Sequence, residues 1–152
     1  MEGYQNILCA TDFSPHSQVA AERAAQLAKQ YGAQLTLLHV VENFPEDRSN
    51  VQIAPEDVDP VAYRKEQAGA SLAELARHLG RNDAGQEIRF SPHSARHEIV
   101  HFARERNVDL IVLATHGHHG ITALLGSTAN GVVHSAPCEV LVVPATEDGA
   151  SR

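Results

Sequence analysis

Residues 114–133 read ATHGHHGITALLGSTANGVV and concentrate most of the chemistry this chain offers. Gly126-Ser127-Thr128 leads into a helical segment. The start of a helix presents unpaired N–H groups and a partial positive charge, so this junction suits a phosphate. Glycine fits there because a side chain would hold phosphate oxygens away from the backbone amides. His116, His118 and His119 form an H-x-H-H cluster, but neighbouring histidines in a loop do not all aim at one centre, and no metal site is expected from them. A protonated His118 or His119 would donate to a phosphate more strongly than a neutral one. The loop is not a G-x4-G-K-[ST] phosphate loop, and Lys29 and Lys65, the only lysines, are far from it in sequence. Phosphoryl transfer draws its acceleration from positioned cations. The expected chemistry is therefore binding, with slow hydrolysis at most and no assigned catalytic residue.

The elements that position this loop follow from the hydrophobic pattern. Ile7-Leu8-Cys9-Ala10 is a short apolar run, followed by Ser14 and Pro15 as the N-cap and first position of a helix. Apolar residues recur at helical spacing from Val19 to Tyr31, and Gly32 stops them. Leu35 to Val41 is nearly continuous in apolar character, as a strand covered on both faces must be. Residues 42–59 form a long, polar, acidic connection. Helical spacing resumes near Val61 and runs to Leu79 and Gly80. Glu87-Ile88-Arg89-Phe90 alternates as an outer strand, and Ser94 is placed to cap the helix carrying Ile99, Val100, Phe102 and Ala103. Val108 to Ala114 is the strongest candidate for a central strand, and Val140-Leu141-Val142-Val143 is the last. Strands alternating with helices predict a parallel sheet with right-handed crossovers and helices on both faces.

Ligands of such sheets bind beyond the carboxyl ends of the strands, where strand order reverses. Three places qualify: Ala10-Thr11-Asp12, Val40-Val41, and the loop that begins at Ala114. Asp12 stands where a carboxylate would accept hydrogen bonds from ribose hydroxyls; its plainer role is to cap the first helix. His39 and His134 read as packing residues, and Cys9 and Cys138 as buried thiols outside any CxxC or disulfide framework.

Together these residues resemble the universal stress protein family over nearly the whole chain. The resemblance rests on Ile7 to Ser14, Leu37-Leu38-His39-Val40, Asp109 to Val112, Gly117-His118-His119-Gly120, Leu125 to Asn130, and Val140 to Val143. The nucleotide-binding branch of that family carries G-x2-G-x9-G-[ST]. Here Ala114 holds the first glycine position, and eight residues rather than nine separate Gly117 from Gly126. The resemblance implies ATP or AMP across the strand ends, with Asp12 at the ribose, the Val40 backbone at adenine, and Gly117, Gly126 and Ser127 at the phosphates. Any Mg2+ would be held mainly by those phosphates, Asp12 being the carboxylate expected nearby. The resemblance also implies a homodimer through Val140 to Val143, a run too apolar for a bare sheet edge.

The expected architecture is a single doubly wound, Rossmann-like α/β domain over residues 1–146. Its five parallel strands would take the order 3-2-1-4-5, and 147–152 would form a polar tail. At 152 residues and 43% hydrophobic, the chain has enough material for one real core. A formal charge of −7 is the wrong footprint for nucleic acid. Without a signal-peptide core or a run of roughly 18 apolar residues, a cytoplasmic protein away from the membrane is expected. The leading functional expectation is a nucleotide sensor whose bound state alters its contacts with an unidentified protein partner. A weak ATPase and a nucleotide-free, chaperone-like interaction protein with a merely structural glycine loop are the alternatives.

Overall fold

The computed structural model describes residues 3–42, 59–116 and 125–144. Five strands and four helices alternate through them: β1 (Asn6–Ala10), α1 (Pro15–Tyr31), β2 (Gln34–Glu42), α2 (Pro60–His78), β3 (Gly85–Ser91), α3 (Ala95–Glu105), β4 (Leu110–Ala114), α4 (Ser127–Ser135) and β5 (Glu139–Val143). Every strand pairing is parallel, and the order is β3-β2-β1-β4-β5, as expected. The chain winds outward through β2 to β3, then returns to the other side of β1 to lay down β4 and β5. The boundary between β1 and β4 is thus the switch point.

Alternate residues of the central strands feed two cores. Ile7, Cys9, Leu35, Leu37, Leu110 and Val112 face α1 and α2. Leu8, Leu38, Ile111 and Leu113 face α3 and α4. On α1 the buried positions are Ser17, Ala20, Ala21, Ala24 and Ala28, residues so small that the helix axis can lie close to the sheet. Burial pushes the Cys9 thiol up to about 12, so it stays protonated and inert. Cys138 is only half-buried, because it lies in the short link before edge strand β5 rather than beneath a helix.

The helix ends largely follow the expected signals. Ser14 Oγ accepts from the Ser17 amide at the start of α1, and Gly32 ends that helix at φ 67°, a left-handed conformation that glycine adopts without strain. Asp59 caps α2. Ser94 occupies the N-cap position of α3, but its hydroxyl does not cap the helix. That role falls to Glu42 at the end of β2, whose Oε2 accepts from the Ala95 amide at 2.8 Å.

β4 begins at Leu110 rather than Val108. The Asp109 carboxylate is committed to the Gln5 and Asn6 amides at 2.9 and 3.1 Å, tying the bottom of β4 to the bottom of β1. At the same end the Tyr4 hydroxyl donates to Glu139 Oε1 at 2.6 Å, and that bond, with burial next in weight, pushes the phenol up to about 12. A folded-state value above the ordinary tyrosine value of about 10 means that stabilisation is complete below pH ~10 and is lost as pH climbs toward 12. Tyr4→Phe should flatten this alkaline loss of stability in melting curves taken between pH 10 and 12. Parallel pH profiles for the two proteins would refute the coupling.

Candidate functional site

A cavity of about 610 Å3 lies at the carboxyl ends of β1, β2 and β4, beside the switch point. That volume suits a drug-sized or nucleotide-sized ligand. Ala10, Thr11 and Asp12, Val40, Ala114 and His116, and Gly126, Ser127 and Thr128 all line it. Gly117, His118, His119 and Gly120 lie outside the described residues. A larger hollow of about 1120 Å3 sits among the C-terminal ends of α1 and α2 and the start of β2. Helix C-termini carry partial negative charge, which disfavours anions there.

The turn between β1 and α1 is held by several bonds at once. The Thr11 amide donates to the Leu38 carbonyl at 2.9 Å, continuing the β1–β2 ladder one residue past the strand. Thr11 Oγ1 accepts from the Phe13 amide and lies 3.0 Å from Ser17 Oγ. Asp12 Oδ1 accepts from the Ser14 amide at 3.0 Å, so this carboxylate does help to cap α1. Phe13 sits at φ 65°, a left-handed conformation that costs a bulky residue about 1–3 kcal/mol. Its ring packs 4.5 Å from that of His39. Nδ1 of His39 in turn donates to the Thr11 carbonyl at 2.8 Å, which places a proton on that nitrogen.

The opposite wall is the crossing from β4 to α4. The Thr115 amide donates to the Val143 carbonyl, and the Gly126 amide donates to the Thr115 carbonyl at 2.7 Å. Gly126 has φ −67°, so no left-handed corner requires glycine here. Crowding does: a Cβ at Gly126 would stand 3.0 Å from the Thr115 carbonyl oxygen. Among the described residues, the side-chain-bearing positions with positive φ are Phe13 and Asn107. Ala114 is therefore in a conformation that alanine accepts freely, and the absence of glycine there strains nothing.

Four polar residues join the expected set in lining the cavity: Ser17, His39, Glu42 and Thr115. Glu42 adds a second carboxylate to Asp12. Alternation along β2 was the available signal, since Leu38, Val40 and Glu42 share one face. His39 both packs and lines the cavity, while His134 is exposed on α4 and packs into no core. Ala95 and Ile99 of α3 supply an apolar flank. No lysine or arginine is among the described residues lining the cavity, and among the described residues no three His, Cys, Asp or Glu side chains gather to hold a metal.

An open parallel sheet, wound both ways from its centre and bearing a ligand-sized cleft at its switch point, defines a doubly wound α/β protein. Residues 3–144 match the model of the Universal stress protein family, and the chain belongs to that family. It is 37% identical over 140 residues to Universal stress protein A homolog 1 of Coxiella burnetii, covering 92% of this chain and 96% of that one. Among solved structures, the universal stress protein UspA from Lactobacillus plantarum aligns with a TM-score of 0.70 at 29% identity, covering 94% of this chain and 99% of that one. A universal stress protein crystallised in complex with cAMP aligns at 0.69 and 25% identity, covering 95% and 100% of the two chains. Among the described residues, no helix is long and apolar enough to cross a membrane.

Proposed function

We propose that this protein binds an adenine nucleotide, ATP or AMP, in the strand-end cavity and acts as a dimeric sensor or regulator in a stress response. One observation carries the reading. Side-chain oxygens of Ser14, Asp59 and Glu42 serve the starts of α1, α2 and α3, whereas α4 opens at the cavity from Gly126, which has no side chain to offer. A phosphate would complete that helix. The cAMP complex of a relative at 25% identity supports an adenine ligand.

In this reading Asp12 accepts from the ribose, Val40 meets the base through its backbone, and Ser127 and Thr128 present amides and hydroxyls to the phosphates. The family resemblance adds Gly117, with His118 or His119 as hydrogen-bond donors, to the phosphate contacts. Mg2+ accompanying ATP would be carried by the phosphates, with Asp12 or Glu42 as the available protein oxygens. The described residues that line the cavity include no lysine or arginine, which favours binding over rapid turnover. β5 is an edge strand whose half-buried Val140, Leu141, Val142 and Val143 supply the apolar face for a second copy.

Calorimetric titration of nucleotide-stripped protein with ATP and then AMP, with and without Mg2+, tests the assignment, and chromatography of the mixture tests turnover. Saturable binding with trace product is the expected result; a flat titration at millimolar nucleotide rejects it. Asp12→Ala should weaken binding by about 1.5–3 kcal/mol, the range for hydrogen bonds to a charged group. An unchanged isotherm would remove Asp12 from the ribose.

A further inference from the structure

We propose a transition-metal site at the start of α3, formed by His93 in the turn that precedes the helix and His97 in its first turn. The two rings lie with their centroids 5.0 Å apart and their planes at 59°. An imidazole nitrogen sits about 2.0–2.1 Å from Zn2+ and the ring centroid roughly 1.1 Å further out, so two rings bound in neighbouring positions of one ion have centroids about 4.5–5.2 Å apart. The observed spacing falls inside that interval. Both histidines are exposed, so an ion can reach them without disturbing the core.

The surroundings favour coordination without hydrolysis. Residues 97–101 read His-Glu-Ile-Val-His, the H-E-x-x-H spacing that in zinc peptidases provides two ligands and a general base. Here Glu98 is turned inward toward β3. Its Oε1 lies 3.6 Å from Arg89 Nη1, and its side chain is only 15% exposed. The base is thus withdrawn from any ion held by His93 and His97. His101 lies one turn beyond His97 on α3. The nearest cation in sequence, Arg96, lays its stem across α4 against Gly131.

With two protein ligands, water completes the coordination shell. Imidazole donors select Zn2+, Cu2+ or Ni2+ over Mg2+ and Ca2+. The site is independent of the nucleotide reading, and either can fail alone.

The test is titration of nucleotide-stripped, full-length protein with Zn2+ and with Ni2+ at neutral pH, using Mg2+ as the control. Variants would be His93→Ala, His97→Ala, His101→Ala and a combined replacement of His116, His118 and His119 by alanine, each checked by circular dichroism for native fold. One saturable site is expected. His93→Ala and His97→Ala should each weaken it by about tenfold or more, because a single imidazole then remains. His101→Ala and the loop variant should keep it, and Mg2+ should give no signal. Electron paramagnetic resonance of the Cu2+ complex should show two coupled imidazole nitrogens, falling to one in either single variant. Absence of binding, undiminished affinity in His97→Ala, loss in His101→Ala but not in His93→Ala, or loss in the loop variant would each overturn the assignment.

Discussion

Gly126→Val is expected to abolish nucleotide binding while leaving a folded sheet. The missing Cβ of Gly126 points at the Thr115 carbonyl oxygen, 3.0 Å away, with His116 Cα at 3.6 Å behind it. These are backbone atoms and do not swing aside as a flexible side-chain tip would. Valine must therefore push the first turn of α4 away from the end of β4, and its methyl groups would stand where phosphate oxygens meet the amides. Losing two such contacts, at about 1.5–3 kcal/mol each, lowers affinity by two orders of magnitude or more. Calorimetry reads the loss, and a cooperative melting transition shows that the fold survives. A folded variant that still binds with native affinity would reject the phosphate assignment. Ser127→Ala makes a useful contrast, since it keeps the amides and should lose only about 1 kcal/mol.

The largest effect on stability is expected from Phe102→Ala. Phe102 is 1% exposed and belongs to the core beneath α3. The guanidinium carbons of Arg89 and Arg106 lie 4.9 and 4.8 Å from its ring centroid. Truncation leaves a cavity and removes the aromatic face from both cations, costing about 3–5 kcal/mol. For a domain of this size that is a fall in Tm of roughly 6–20 °C. Phe102→Leu retains most of the volume but loses the ring, so its smaller loss would separate packing from the cation contacts. A shift of only a degree or two for Phe102→Ala would mean that α3 collapses into the gap.

How far the sequence could be read depends on whether the signal is local. Ser14-Pro15, Gly32 and the alternation of apolar runs act within a few residues, and the structure follows them closely. Leu8, Leu38 and Ile111 could be placed in a buried sheet because unbroken apolar strands have no other stable setting. The cap of α3 was not legible, since Glu42 reaches Ala95 across 53 residues of sequence. Neither was the left-handed Phe13: propensity argues against a bulky residue there, and only the Thr11 and His39 contacts around it explain how it is tolerated. At the cavity, Thr11, Asp12, Ala114 and Gly126 to Thr128 could be anticipated from the rule that strand ends bind ligands. Ile99 could not, because its place depends on how α3 crosses β2.

Between Ser135, the last residue of α4, and Glu139, the first of β5, there are three residues, one of them Pro137. So short and stiff a joint has little slack. The Thr115 amide, bonded to the Val143 carbonyl, ties the far end of β5 to the cavity rim as well. The edge strand is thus tethered at both ends to the structure around the cleft, like a bar hinged to a lever. A displacement of α4 would therefore bear on the sheet edge. Whatever meets β5 from outside would then feel, as a change in strand position, whether the cleft is filled.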